Sequence, residues 1–188
     1  LPLLSVEKII HDEIDFTDYD GIVFTSANAV KFLNLNEINK TIKCFCVGEA
    51  TEKKARSLGF QNTIAAGGNV SNLKELVLQN YNSSSGKLLY VSGEKISVNL
   101  DQELSNEGYK IKRIINYRVN HNKNFSEQFV KELKKNMPNM VYIYSQNSAH
   151  SFLNFIKFHQ LETLCMDMNL MCIGCLLYTS DAADEGLG

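Results

Sequence analysis

At 188 residues the chain is long enough for one large domain or two small ones, and its 44% hydrophobic and 21% charged residues are ordinary for a globular protein. A formal net charge of −2 with scattered basic residues argues against a nucleic-acid partner, no apolar run reaches membrane-spanning length, and no signal peptide opens the chain. The five cysteines, an odd number without secretory features, predict reduced thiols in a cytoplasmic setting.

In chain order, Leu1 to Ile10 reads as an extended apolar segment with Pro2 at its start, and His11 to Asp20 as a polar connection. Gly21 to Leu33 (GIVFTSANAVKFL) is a short, continuously apolar strand, then a polar turn rich in N-cap residues, then apolar positions at helical spacing, with the helix expected over Asn28 to Leu35. Ile42 to Val47 is a second buried strand, on which Cys44 and Cys46 would share one face as small apolar packing. A helix over Thr51 to Leu58 closes at Gly59 with a left-handed cap; Asn62 to Ala66 is a short strand, and Ser71 to Gln79 a helix with Leu73, Leu76 and Val77 as its apolar stripe. Lys87 to Val91 is a strand ending at Ser92-Gly93-Glu94, Val98 to Glu107 a helix closing at Gly108, and Lys110 to Val119 a longer, strongly basic strand. Phe125 to Lys135 is an amphipathic helix whose Asn124 and Glu127 have capping-box spacing; Met140 to Tyr144 is a strand, Ser148 to Phe158 a helix, and Leu170 to Ile173 begins another strand. Strands alternating with helices predict a parallel-sheet α/β protein.

The opening unit returns. Placed 119 positions further along, Met140 to Phe152 (MVYIYSQNSAHSF) sets Ser145 under Ser26, Asn147 under Asn28 and Ser148 under Ala29, and Phe45-Cys46-Val47-Gly48 is echoed by Met171-Cys172-Ile173-Gly174. The repeat predicts two related α/β halves. Five strands and four helices between Asp20 and Ile114 complete one small domain, expected over 17–114, inserted into a second built from 1–10 and 121–174. The connectors fall at 11–16 and 115–120.

Cys175 to Glu185 (CLLYTSDAADE) resembles the translation of a transposon end used in preparing sequencing libraries, so 175–188 is expected not to be native sequence. Without it the Cys172-x-x-Cys175 pair ceases to be a redox or zinc motif. The formal charge moves from −2 to +1 as Asp181, Asp184 and Glu185 leave. The native chain is then expected to be truncated at both ends.

No phosphate-binding glycine fingerprint, nucleophile elbow, paired catalytic carboxylates or metal spacing is present, and the four histidines are dispersed. The informative chemistry sits in polar turns that follow buried strands: Thr25-Ser26-Ala27-Asn28, Gly48-Glu49-Ala50-Thr51, Ser92-Gly93-Glu94 and Ser145-Gln146-Asn147-Ser148. Each offers hydroxyls and free N–H groups where a helix begins, suited to a carboxylate or phosphate, or simply to capping the helix. On one sheet edge, Thr25, Ser26, Asn28, Gly48, Thr51, Gly93, Ser145, Asn147 and Ser148 together would form a ligand site.

The blocks D-x-GIVFTSANAV, CVGEAT, G-F, KLLYVSGE, G-Y…INYRV and YIYSQNSAHSF, in that order, resemble uroporphyrinogen-III synthases over all of 1–174. The resemblance implies two α/β domains joined by a two-strand connector. It also implies an enzyme of tetrapyrrole (haem and sirohaem) biosynthesis that needs neither metal nor organic cofactor. Its substrate would be the linear tetrapyrrole hydroxymethylbilane, a polycarboxylate gripped between the domains. The substrate is cyclised to uroporphyrinogen III with loss of water and inversion of the last pyrrole ring. Tyr117 matches the family tyrosine at the domain crossover, which assists loss of the substrate hydroxyl, while Thr25, Ser26, Thr51, Ser145 and Ser148 match positions that hold substrate carboxylates. Ser92 stands where the family often has Arg, so one charge contact to the substrate is not carried over. Neither a nucleic-acid nor a membrane partner is expected, and the protein is expected to act as a monomer. The alternative from another class is a non-catalytic α/β ligand-binding or regulatory module of the same fold.

Overall fold

The structure is a computed structural model and describes residues 3–34, 38–143 and 145–172. It carries a six-stranded sheet and a separate two-stranded one. In chain order the elements are β1 (Leu4–Lys8), β2 (Gly21–Phe24), α1 (Ala27–Phe32), β3 (Lys43–Cys46), α2 (Glu49–Ser57), β4 (Thr63–Ala65), α3 (Val70–Asn80), β5 (Lys87–Gly93), α4 (Leu100–Asn106), β6 (Lys110–His121), α5 (Glu127–Lys135), β7 (Met140–Ile143), α6 (Gln146–Phe158) and β8 (Asn169–Cys172). The large sheet runs β1-β6-β5-β2-β3-β4, and the small one pairs β7 with β8. The chain divides into two compact units, Val6–Val119 and Leu1–Ser5 with the chain from Asn120 onward.

In the first unit every strand pair from β6 across to β4 is parallel. The edge strand β1 is antiparallel to β6: Ile9 N–H donates to Asn116 O and Asn122 N–H to Leu3 O, so the numbers run in opposite senses. Ile22, Val23 and Phe24 at the sheet centre are fully buried, each contributing roughly 1.5–3 kcal/mol of apolar burial. Side chains alternate across the sheet, so Ile22, Phe24, Cys44 and Cys46 pack under α1 and α2 with Ala29, Val30 and Ala55. Val23, Phe45, Leu88 and Tyr90 pack on the other face under α3 and α4 with Leu73, Val77, Leu100 and Leu104. The Cys44 and Cys46 sulfurs lie 3.8 Å apart, and the hydrogen bond between them together with burial pushes the Cys44 thiol well above its usual value. Both therefore serve as packing.

The second unit has a smaller core of Phe155, Ile156 and Leu161, with Leu3, Phe125, Phe129, Leu133 and Phe152 against it. Its β7 differs from its echo β2: Met140 is 43% and Tyr142 52% exposed, because only β8 flanks it and α6 covers one side among the described residues. The two strand–turn–helix stretches agree in local geometry. Ser26 and Ser145 adopt nearly the same N-cap backbone (φ −162, ψ 146 and φ −161, ψ 160). The strand registers correspond as well: Phe24 pairs with Cys46 as Ile143 pairs with Cys172.

Three local expectations are corrected. The helix α1 stops at Phe32 rather than Leu35, because Leu33 turns to extended backbone (ψ 137); Leu35 itself lies outside the described residues. The cap of α5 is Ser126, whose Oγ accepts the Phe129 N–H at 3.2 Å, so Asn124 and Glu127 form no capping box. The polar turns do not share one sheet: three close strands of the large sheet, and the turn at Ser145 follows β7 in the small one. Tyr144, Ile173, Gly174 and the expected adaptor tail 175–188 lie outside the described residues.

Candidate functional site

The order of strands decides where a ligand fits. From β2 the chain winds outward through α1, β3 and α2 to β4 on one face; it then crosses back through α3 to β5 and winds the other way through α4 to β6 on the opposite face. The reversal falls between β2 and β5, whose carboxyl ends are Thr25-Ser26 and Ser92-Gly93. At such a switch point the following loops diverge to opposite faces and leave a crevice at the strand ends.

Two groups of side chains meet there. The first is centred on Tyr90, a buried residue of β5 whose hydroxyl lies 3.5 Å from Thr25 Oγ1. Burial pushes the Tyr90 phenol up; the Thr25 hydrogen bond and the positive charge of Arg113 oppose this. Arg113, beside Tyr90 in the β5–β6 register, donates from Nε to Ser92 Oγ (2.8 Å) and from Nη2 to the carbonyls of Gly93 (2.9 Å) and Glu94 (3.2 Å). The buried Ser92 hydroxyl in turn donates to Gly93 O at 3.1 Å.

The second group is centred on Tyr117. The β5–β6 register slips at this point, so that Ser92 pairs with Ile115 and Gly93 with Tyr117, and Asn116 is the extra residue of a bulge. Ile114 and Tyr117 are three apart yet pack in the same cluster, which a regular strand forbids; the bulge turns Tyr117 onto the α1 face. There its ring stacks on Phe32, centroids 6.5 Å apart. It also lies over Gly93: a Cβ on Gly93 would sit 2.7 Å from Tyr117 Cζ and 2.9 Å from its Oη. Only glycine fits under that ring. Asn116 is completely buried and holds the bulge by donating from Nδ2 to Ala29 O at 2.7 Å, occupying a carbonyl at the frayed end of α1.

The remaining candidates are distributed around this crevice and beyond it. Ser26 caps α1, its Oγ accepting the Asn28 N–H at 3.1 Å, and both residues are half-buried. Gly48 opens α2 without a side-chain cap; a Cβ there would meet Gly68 Cα at 3.3 Å. Thr51 is 4% exposed and turned into the protein, so its hydroxyl is withdrawn from any ligand. Ser145 and Ser148 belong to the other unit. Ser145 Oγ accepts the Ser148 N–H at 3.2 Å and lies 2.9 Å from Ser148 Oγ, with Asn147 exposed beside them. No group of three or more metal-ligating side chains occurs among the described residues.

Sequence reasoning passed over Tyr90, Arg113, Asn116 and Phe32. A signal for Arg113 was present: on a basic strand, Lys110 and Lys112 share one parity and are exposed, whereas Arg113 takes the opposite one and is half-buried. The bulge had none, because a single inserted residue leaves composition and hydropathy unchanged.

The description "Uroporphyrinogen-III synthase HemD" belongs to a family model that matches residues 1–186. The chain belongs to the uroporphyrinogen-III synthase family. At the level of that family its function is the cyclisation of hydroxymethylbilane to uroporphyrinogen III, an enzymatic step of tetrapyrrole biosynthesis. Among solved structures the chain is similar to a uroporphyrinogen-III synthetase from Helicobacter pylori, at 18% identity and TM-score 0.63, over 90% of this chain and 84% of that one. It is also similar to a mutant uroporphyrinogen III synthase from the extremely thermophilic bacterium Thermus thermophilus, at 14% identity and TM-score 0.56, over 92% and 74% respectively. These likenesses show the shared mixed α/β fold with a mostly parallel sheet. No curated protein sequence matches the chain. Among the described residues of this synthase-family chain, no helix is long and apolar enough to cross a membrane.

Proposed function

We propose that the crevice at the ends of β2 and β5 is where this chain acts on hydroxymethylbilane, with Tyr117 as the catalytic residue. The observation that carries the reading is the bulge at Asn116, which spends a buried amide and an unpaired strand position on laying Tyr117 over Gly93 at the mouth of the crevice. Bulges beside active sites commonly serve to re-aim one side chain. A phenol there gives its proton to the departing hydroxyl, which leaves as water, while the cationic azafulvene that remains is stabilised by the phenolate and the surrounding dipoles until ring closure returns a proton. The hydroxyls of Thr25 and Ser26, the side-chain amide of Asn28 and the main chain at Gly48 and Gly93 hold carboxylates of the substrate, and Ser145, Asn147 and Ser148 offer the same chemistry in the other unit. Thr51 supports the turn from within.

The finer organisation belongs to the same proposal: an inserted domain over 17–114, a split domain from 1–10 and 121–174, and connectors at 11–16 and 115–120. The division of the chain near Ser5 and Val119 supports it. The protein works as a cytoplasmic monomer without metal or organic cofactor, and positioning provides most of the rate.

A coupled assay supplying hydroxymethylbilane tests the reading. Uroporphyrinogen III should form, and Tyr117→Phe should slow it by roughly a hundredfold. Appearance of the spontaneously formed, uninverted isomer alone would defeat the enzymatic reading and leave a ligand-binding module. A Tyr117→Phe variant at full rate would remove the role of that residue only.

A further inference from the structure

The geometry points to Arg113 as a substrate-binding residue that anchors one carboxylate of the linear tetrapyrrole at the β2–β5 switch point. This rests on the site proposed above and adds to it the cation that the polar turns lack. Three of the five guanidinium N–H groups are spent on neutral oxygens, one on Ser92 Oγ and two on the main-chain carbonyls of Gly93 and Glu94. Those bonds fix the plane of the group across the end of β5 before any ligand arrives, which removes much of the entropic cost of using a long side chain. They do not neutralise it. The ion pairs of the described residues use Lys53, Arg56, Lys74 and Lys131, and none includes Arg113.

Among the described residues the Nη1 amino group makes no hydrogen bond, so two N–H donors and a full positive charge are left at a half-buried site. Asp101 acts on Tyr90 in the opposite sense to Arg113 but forms no ion pair with it. A guanidinium held in place by neutral acceptors at a half-buried site is suited to bind a carboxylate. Its neighbours, the hydroxyls of Thr25, Tyr90 and Ser92, can accept or donate but carry no charge of their own.

The test uses the full chain and uroporphyrin, the coloured polycarboxylate macrocycle, followed by fluorescence titration at several salt concentrations. Arg113→Gln keeps an amide donor for Ser92 while deleting the charge. It should weaken binding roughly tenfold, raise KM for hydroxymethylbilane by a similar factor and flatten the salt dependence. Arg113→Lys should regain part of the affinity and the wild-type salt slope. A Gln variant with wild-type affinity and slope overturns the proposal, as does a Lys variant no better than Gln. Should Arg113→Gln fail to fold, the wild-type protein still decides: uroporphyrin should protect Arg113 from an arginine-specific dicarbonyl reagent, and equal modification with and without it counts against the anchor. A wild-type chain that neither binds uroporphyrin nor turns over hydroxymethylbilane tells against the proposed site as a whole, and a chain that does both while Arg113 stays indifferent tells against Arg113 alone.

Discussion

Gly93 is the residue on which the position of Tyr117 depends most directly. Its backbone is ordinary, and what excludes a side chain is the aromatic ring 2.7 Å from where a Cβ would be. Gly93→Ala should push the Tyr117 ring off Phe32 and lower kcat about tenfold or more, since a misplacement of about an ångström is enough for such a loss. The effect on stability should be smaller, about 1–3 kcal/mol from overpacking in a buried site. Steady-state kinetics set beside urea denaturation separate the two; a Gly93→Ala enzyme with full kcat would show that Tyr117 is not held by this contact. Asn116 gives the complementary test. Replacing it by Ala removes the bond to Ala29 O and leaves a cavity, so stability should fall by about 1–3 kcal/mol.

At the level of elements, the two strand–turn–helix repeats are built on the same serine cap but in different surroundings. Ser26→Ala and Ser145→Ala each remove one acceptor for an orphan helix N–H and should cost about 1 kcal/mol, additively because the caps share no partner. Urea midpoints of the two single variants and the double variant check this. The repeat was legible in the sequence because cap chemistry and buried-strand composition are local: Ser26 and Ser145 sit where small polar residues interrupt an apolar run. The α/β alternation was legible for the same reason, and so were Gly59 and Gly108, whose positive φ values of 97 and 86 close α2 and α4. What sequence could not supply was the break in parity. Nothing in Ile114-Ile115-Asn116-Tyr117 announces that one residue is surplus, so the facing of Tyr117 emerged only once β6 was laid against β5. Thr51 fails for a similar reason: a threonine early in a helix looks alike from the sequence whether its hydroxyl meets solvent or core.

For the molecule as a whole, acid should loosen the first unit through Glu52. Hydrogen bonds from Arg56, then from Thr63, hold its carboxyl below the ordinary value. The folded state therefore binds that proton less tightly than the unfolded chain does. The stabilisation is complete above the ordinary carboxyl range and is lost as pH falls through the folded value. The urea midpoint should hold from about pH 7 to about pH 5 and drop as the pH falls further, and Glu52→Gln should lower it at neutral pH while flattening the acid limb. An unchanged pH profile in the Gln variant would assign the acid sensitivity elsewhere, with Asp15, held low by Thr17, the next carboxylate to examine.

The strand order also governs when the crevice can exist during synthesis. β2 borders β3 on one side and β5 on the other, and the second partnership, Phe24 with Val91, closes a far longer loop than the first. As the chain leaves the ribosome, β2, β3 and β4 can pair while the β5 side of β2 is still an open, wholly apolar edge. Until β5 arrives that edge is free to accept a strand from another nascent chain, and the proposed substrate crevice is half a wall. The place where this protein would receive its substrate is thus also the place where its folding is most exposed to error.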